Sequence, residues 1–126
     1  MKRLTHSGFT LIELIVVMAI IALLLSLAMP RYFNHLESSR ETILKHDLAV
    51  MRDAIDKFHS DRGRYPDGIE HLVNERYLRS VPVDPITEQN SSWQRIAPPS
   101  AEAGAMYDVK SGAPGTSLDG SAYSDW

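Results

Sequence analysis

The chain contains no cysteine. That excludes disulfide staples, thiol nucleophiles and Cys-based zinc sites. A small domain without cysteine must be held by packing, by assembly or by a metal with other ligands. Aromatic residues are few, 8% of 126, and there is no surplus of basic charge: 13 Lys and Arg stand against 16 Asp and Glu, a formal net charge of −3. Such a chain offers no electrostatic footprint for nucleic acid. The sequence also has no His-Glu-x-x-His, no His-x-His, no Gly-x-Ser-x-Gly and no Gly-rich phosphate loop, so no catalytic constellation for an enzyme is visible. Its five histidines, His6, His35, His46, His59 and His71, are scattered and read as surface or packing residues.

Long apolar runs are absent too, with one exception. Residues 9–29 form 21 consecutive positions in which Glu13 is the only charged side chain. About 20 apolar residues at 1.5 Å rise span a hydrocarbon core of roughly 30 Å. The chain is therefore expected to cross a membrane once. Lys2 and Arg3 precede the run, which places the N-terminus in the cytoplasm and residues 31–126 outside. An ordinary cleaved signal peptide has a shorter apolar stretch and a small-residue site after it. Here residues 26–28 read Ser-Leu-Ala, without the Ala-x-Ala pattern. Glu13 is the informative residue. A carboxylate at a helix centre in lipid costs about 2.5–3.5 kcal/mol on insertion scales. It either snorkels to water near the interface or has a partner.

Gly8-Phe9-Thr10-Leu11-Ile12-Glu13-Leu14 resembles the prepilin peptidase site of type IV pilins and type II secretion pseudopilins. That pattern is a short basic leader ending in Gly, then Phe-Thr-Leu-Ile-Glu-Leu, then an aliphatic run. Pro30 falls where many such proteins carry a helix-bending proline. The resemblance implies cleavage between Gly8 and Phe9, N-methylation of Phe9, and a role for Glu13 in assembly. Its carboxylate would attract the N-terminal amine of a neighbouring subunit or of its own chain, and each of these charges is costly in low dielectric without the other. Removing residues 1–8 leaves 11 basic against 16 acidic side chains.

Beyond Pro30 the apolar positions become periodic. Leu44, Leu48, Met51, Ile55 and Phe58 recur at spacings of four, three, four and three, one face of an amphipathic helix. Glu41–Lys45, Arg52–Asp56 and Asp53–Lys57 are spaced to support it. No proline lies between Arg31 and Tyr65. One long helix is expected from about Phe9 to Asp61, kinked or not at Pro30. A coiled-coil seam over 44–58 is the alternative, although it covers barely two heptads. Gly63 suits a C-cap and Pro66 prevents resumption. Asp67 can cap a short second helix, roughly Ile69–Arg76, with Leu72 and Val73 inward. Pro82-Val83-Asp84-Pro85 reads as an extended loop. Tyr65-Pro66, a short helix, Tyr77-Leu78 and the Pro-x-Asp-Pro loop stand in the order that resembles the major pseudopilins in particular. Arg62, Arg64 and Arg76 could form a small basic patch, read as solvated surface.

Strands are expected at Ser92–Ile96 and Ala105–Val109, joined by the turn Ala97–Gly104. From Lys110 onward the composition is that of a loop, which Trp126 could pin by packing back. The fold class expected is α+β: a long N-terminal transmembrane and amphipathic helix on a small antiparallel β-sheet head. The organisation is a leader (1–8), a transmembrane and filament-core helix (9–30) and a periplasmic head (31–126) that includes the second half of the long helix.

Asp108, Ser111, Ser117, Asp119 and Asp125 supply oxygen ligands of the kind that suit calcium. The resemblance implies a calcium loop, with Ser117, Asp119 and Asp125 as candidate ligands. Ala113-Pro114-Gly115 and Ser124, however, stand where the relatives offer carboxylates, and a solvated Asp/Gly loop without metal is the other reading. The functional expectation is a structural, non-enzymatic subunit of a type II secretion pseudopilus in the bacterial inner membrane. Its expected partners are itself, prepilin peptidase, other pseudopilins, inner-membrane assembly proteins and lipid, with no nucleic acid. The alternative is a subunit of a type IV pilus used for adhesion, motility or DNA uptake.

Overall fold

A computed structural model describes Arg3 and residues 5–126. Between Gly8 and Gly63 the sequence holds no glycine, and this stretch forms α1, Leu11–Arg62. The helix passes through Pro30, which has no N–H to donate to the carbonyl of Ser26. It ends where expected. Gly63 adopts φ 70°, its amide donates to the His59 carbonyl at 2.8 Å, and Tyr65-Pro66 leads the chain away. The chain divides into two compact units, one ending at Leu36 and the other Glu37–Trp126.

In the first unit every described residue up to Leu36 is exposed. Leu11, Ile12, Leu23, Leu24 and Leu27 are among its exposed large apolar side chains. Among the described residues, α1 is the one helix long and apolar enough to cross a membrane.

The second unit carries the core. Leu44, Leu48, Met51, Ala54, Ile55 and Phe58 on α1 are buried together with Ile69, Leu72, Leu78, Trp93, Met106, Val109, Ala113 and Tyr123. Burying each large aliphatic or aromatic side chain contributes about 1.5–3 kcal/mol. The apolar face read from the sequence thus packs on its own head and leaves no seam for a coiled coil. Asp53–Lys57 forms the expected ion pair at 2.8 Å. Arg52 does not bond to Asp56. Its Nε donates to Asp108 Oδ1 at 2.8 Å and its Nη2 to the Val109 carbonyl at 2.9 Å, fastening α1 to the second strand.

Helix α2 is shorter than expected, Ile69–Asn74. Asp67 does not cap it. Gly68 takes the cap position without a side-chain bond, and the Asp67 amide donates to His71 Nδ1 at 3.2 Å. Leu72 is buried, and Val73 is half-buried against the core.

The sheet is a two-stranded antiparallel pair, β1 Gln94–Ile96 and β2 Asp108–Lys110, with Arg95 opposite Val109. Strand β2 begins three residues later than the alternation predicts, because the Met106 amide donates to Pro66 at 3.0 Å rather than to the sheet. The same register, carried past the strands, sets Gly112 opposite Ser92. A Cβ on Gly112 would lie 2.0 Å from the Ser92 carbonyl oxygen. The connection from β1 to β2 contains a 3-10 turn, Ala101–Ala103, followed by Gly104 at φ 120°.

Candidate functional site

Two regions carry the candidate residues. The first lies at the start of α1. Helix formation leaves its first amides without intrahelical acceptors, and here two side chains answer them. The Glu13 amide donates to Thr10 Oγ1 at 3.2 Å, and the Thr10 amide donates to Glu13 Oε2 at 3.4 Å. This reciprocal pair is a capping box, and it starts the helix at Leu11, two residues after Phe9. Ser7, Gly8, Phe9 and Glu13 line one shallow depression of about 210 Å³. The structure therefore brings Gly8, Phe9 and Glu13 to one place. Phe9 is 87% exposed, and Gly8 has open space where a Cβ would stand. The rest of the described chain does not cover the Gly8–Phe9 bond.

The second region is the terminal loop. Its ends are tied by the Thr116–Ala122 bridge and by the Ser117 amide on the Ser121 carbonyl at 2.8 Å. Asp119 Oδ1 accepts from the Ser117 hydroxyl, from the Ser121 amide at 2.9 Å and from the Ser121 hydroxyl at 2.6 Å. These donors hold the Asp119 carboxyl well below the usual carboxylate range, the Ser117 hydroxyl most strongly. Trp126 folds back as expected: its Nε1 donates to Ser121 Oγ at 2.8 Å, and Lys45 Nζ sits 4.5 Å from its ring centroid.

Calcium takes six to eight oxygens, several of them carboxylate. Ser117 and Asp119 are brought together, but against each other. Asp125 stands in the 3-10 turn Tyr123–Asp125, and its side chain makes no hydrogen bond with that pair. Among the described residues, no three His, Cys, Asp or Glu side chains gather as a metal site. The donor set does not fit a calcium ion.

The expected acid–base pair nearby is also rearranged. Glu41 does not pair with Lys45; it accepts from the Leu118 amide at 2.8 Å and from Tyr123 Oη at 3.0 Å. Burial, then the Glu41 hydrogen bond, pushes Tyr123 up to about 12. Two of the three arginines have acidic partners: Arg62 pairs with Glu75 at 2.8 Å and Arg64 approaches Asp67 at 3.9 Å.

One residue stands out that sequence reasoning placed only in an extended loop. Asp84 is fully buried. Its Oδ2 accepts from Ser111 Oγ at 2.7 Å, and its Oδ1 accepts from the Ile86 amide at 2.8 Å and the Thr87 amide at 3.3 Å. Its backbone bonds Gln89 and Glu88, so residues 84–89 form a closed turn. The signal was present in Asp84-Pro85, because an aspartate that bonds amides two residues on is a recognised turn former.

A short basic polar segment, an apolar run whose one charge is Glu13, and a head built on the second half of the same helix define a pilin-like protein of α+β fold. Residues 3–29 match the prokaryotic N-terminal methylation motif. The chain is 32% identical over 114 residues to the type II secretion system core protein G of Pseudomonas aeruginosa, covering 78% of each chain. It is 30% identical over 114 residues to the protein of the same name from Aeromonas hydrophila, again 78% of each. A type IV major pilin protein, PilA of Myxococcus xanthus, is 38% identical over 62 residues, 49% of this chain and 28% of that one. No solved structure matches. The chain belongs to the type II secretion system core protein G family, the major pseudopilins.

Proposed function

We propose that the chain is a structural, non-enzymatic subunit of the pseudopilus of a type II secretion system, polymerising through its N-terminal helix to support protein export. The observation that carries this is the start of α1: an exposed apolar stretch, residues 11–29, whose single carboxylate, Glu13, shares one depression with Gly8 and Phe9. Cleavage between Gly8 and Phe9 by a prepilin peptidase would create an amine within a helical turn of Glu13, and methylation would fall on Phe9. Opposite unit charges 4 Å apart attract by about 4 kcal/mol at an effective dielectric of 20. The pair would set the axial position of a subunit joining the filament. The exposed aliphatics of α1 would lie first in lipid and then against other copies, with other pseudopilins and inner-membrane assembly proteins alongside. The N-terminus would face the cytoplasm and the head the periplasm, as the basic residues before the apolar run favour.

The test is intact mass from a secretion-competent host together with assayed export. A chain lacking residues 1–8 and carrying one extra methyl group, needed for export, is expected. An unprocessed chain, or export unaffected by its deletion, overturns the reading. The 38% identity to a type IV major pilin supports the pilus as the second reading, and surface pili lost on deletion while export continues would decide for it.

A further inference from the structure

The terminal loop does more than lack calcium ligands: its own donors are gathered on one oxygen of its central carboxylate. Ser117 Oγ, Ser121 N and Ser121 Oγ all converge on Asp119 Oδ1, as positively polarised donors around a single anionic oxygen. Ser117 Oγ and Ser121 Oγ lie 3.0 Å apart, and Ser121 Oγ also accepts from Trp126 Nε1. The Gly120 amide donates to Ser117 at 3.0 Å, with Gly120 at φ 89°, the left-handed turn that brings Ser121 back over Asp119. The closed loop is then fixed to α1 at two points. Glu41 takes the Leu118 amide and the Tyr123 hydroxyl, and Lys45 lies over the Trp126 ring, which meets Tyr123 edge to face at 5.2 Å.

We propose that this loop is a metal-independent clasp, in which Ser117 and Ser121 do for Asp119 what a divalent cation would otherwise do, the Trp126 indole holds Ser121 in place, and Glu41 and Lys45 seat the closed loop on α1. A cation taking Asp119 Oδ1 would have to displace three hydrogen bonds and would find one carboxylate in return.

The proposal is tested on the full chain in detergent micelles, by thermal unfolding and by proteolysis of residues 111–126, in millimolar calcium chloride and in EGTA. The wild-type protein is expected to show one midpoint and one cleavage rate in both solutions. Ser121→Ala and Trp126→Ala are each expected to lower the midpoint by several degrees and to speed cleavage several-fold, equally with calcium and with EGTA. A wild-type midpoint that rises in calcium, with the rise lost in Asp119→Asn, overturns the proposal. So does a loop whose stability and cleavage are unchanged in both Ser121→Ala and Trp126→Ala. The calcium comparison on the unaltered chain stands even where a variant fails to fold.

Discussion

Glu41 and Tyr123 lie 82 positions apart in sequence and share a 3.0 Å hydrogen bond from the phenol to the carboxylate. The same carboxylate oxygen receives the Leu118 amide. One acidic side chain on the helix thereby fixes two separate points of the terminal loop. Its position one turn before Leu44 and Lys45 on α1 puts it beside the edge of the core.

Tyr123 should therefore titrate late. Its raised pKa, about 12, means that the folded state favours the protonated phenol. That contribution to stability is complete below the unfolded value near 10 and is lost as pH rises through about 12. Ultraviolet difference titration of the wild type against Tyr123→Phe is expected to isolate one late phenol. Glu41→Gln should bring its ionisation earlier without returning it to the ordinary value, because burial is the larger cause.

Asp119 should act at the other end of the pH scale. Hydrogen bonds lower its folded pKa, so the unfolded state binds more protons in acid. The stability it contributes is present above about pH 4, the unfolded value, and is lost as pH falls below that. The difference in unfolding midpoint between the wild type and Asp119→Asn should narrow steadily below pH 4. A constant difference down to pH 2 would refute the hydrogen-bonded carboxylate.

Asp84→Ala should destabilise the head by about 2–3 kcal/mol. It leaves the buried Ser111 hydroxyl and the amides of Ile86 and Thr87 without their acceptor, and a buried donor left unsatisfied costs about 1–3 kcal/mol. Asp84→Asn keeps an acceptor and should cost less. Denaturant unfolding of both variants checks the order.

Thr10→Ala and Glu13→Ala should separate capping from assembly. Each breaks one of the two reciprocal bonds at the start of α1, a loss of about 1 kcal/mol of helix stability. Only Glu13→Ala removes the carboxylate. Filament yield in cells is expected to fall sharply for Glu13→Ala and little for Thr10→Ala. Equal losses would assign Glu13 to the helix cap alone.

Much of this architecture could be read in the sequence because its signals are local. The glycine-free stretch bounded by Gly8 and Gly63, and the 4-3-4-3 spacing from Leu44 to Phe58, describe a helix and its buried face without reference to the rest of the chain. What could not be read depended on distant partners. Arg52 has an acid in reach at Asp56, yet Asp108 meets it from another element. Glu41 is spaced for Lys45 and finds a tyrosine instead. Strand β2 starts late because Pro66 takes the Met106 amide. In the terminal loop the residue types were recognised as oxygen ligands, but whether they face an ion or each other is set by a turn at Gly120 and by Trp126. At the N-terminus Thr10-x-x-Glu13 was legible as a capping box, and only its place inside a larger motif concealed it.

Gly112 carries a consequence for heredity. Every amino acid except glycine has a Cβ, and at this position that atom would stand 2.0 Å from the Ser92 carbonyl oxygen, a distance no non-bonded pair tolerates. Any single-base change in the codon that alters the residue meets the same obstacle, so the position has only synonymous neighbours. A drifting lineage can leave glycine here only by first moving the chain at Ser92, and a library that samples residue 112 alone should return the parent.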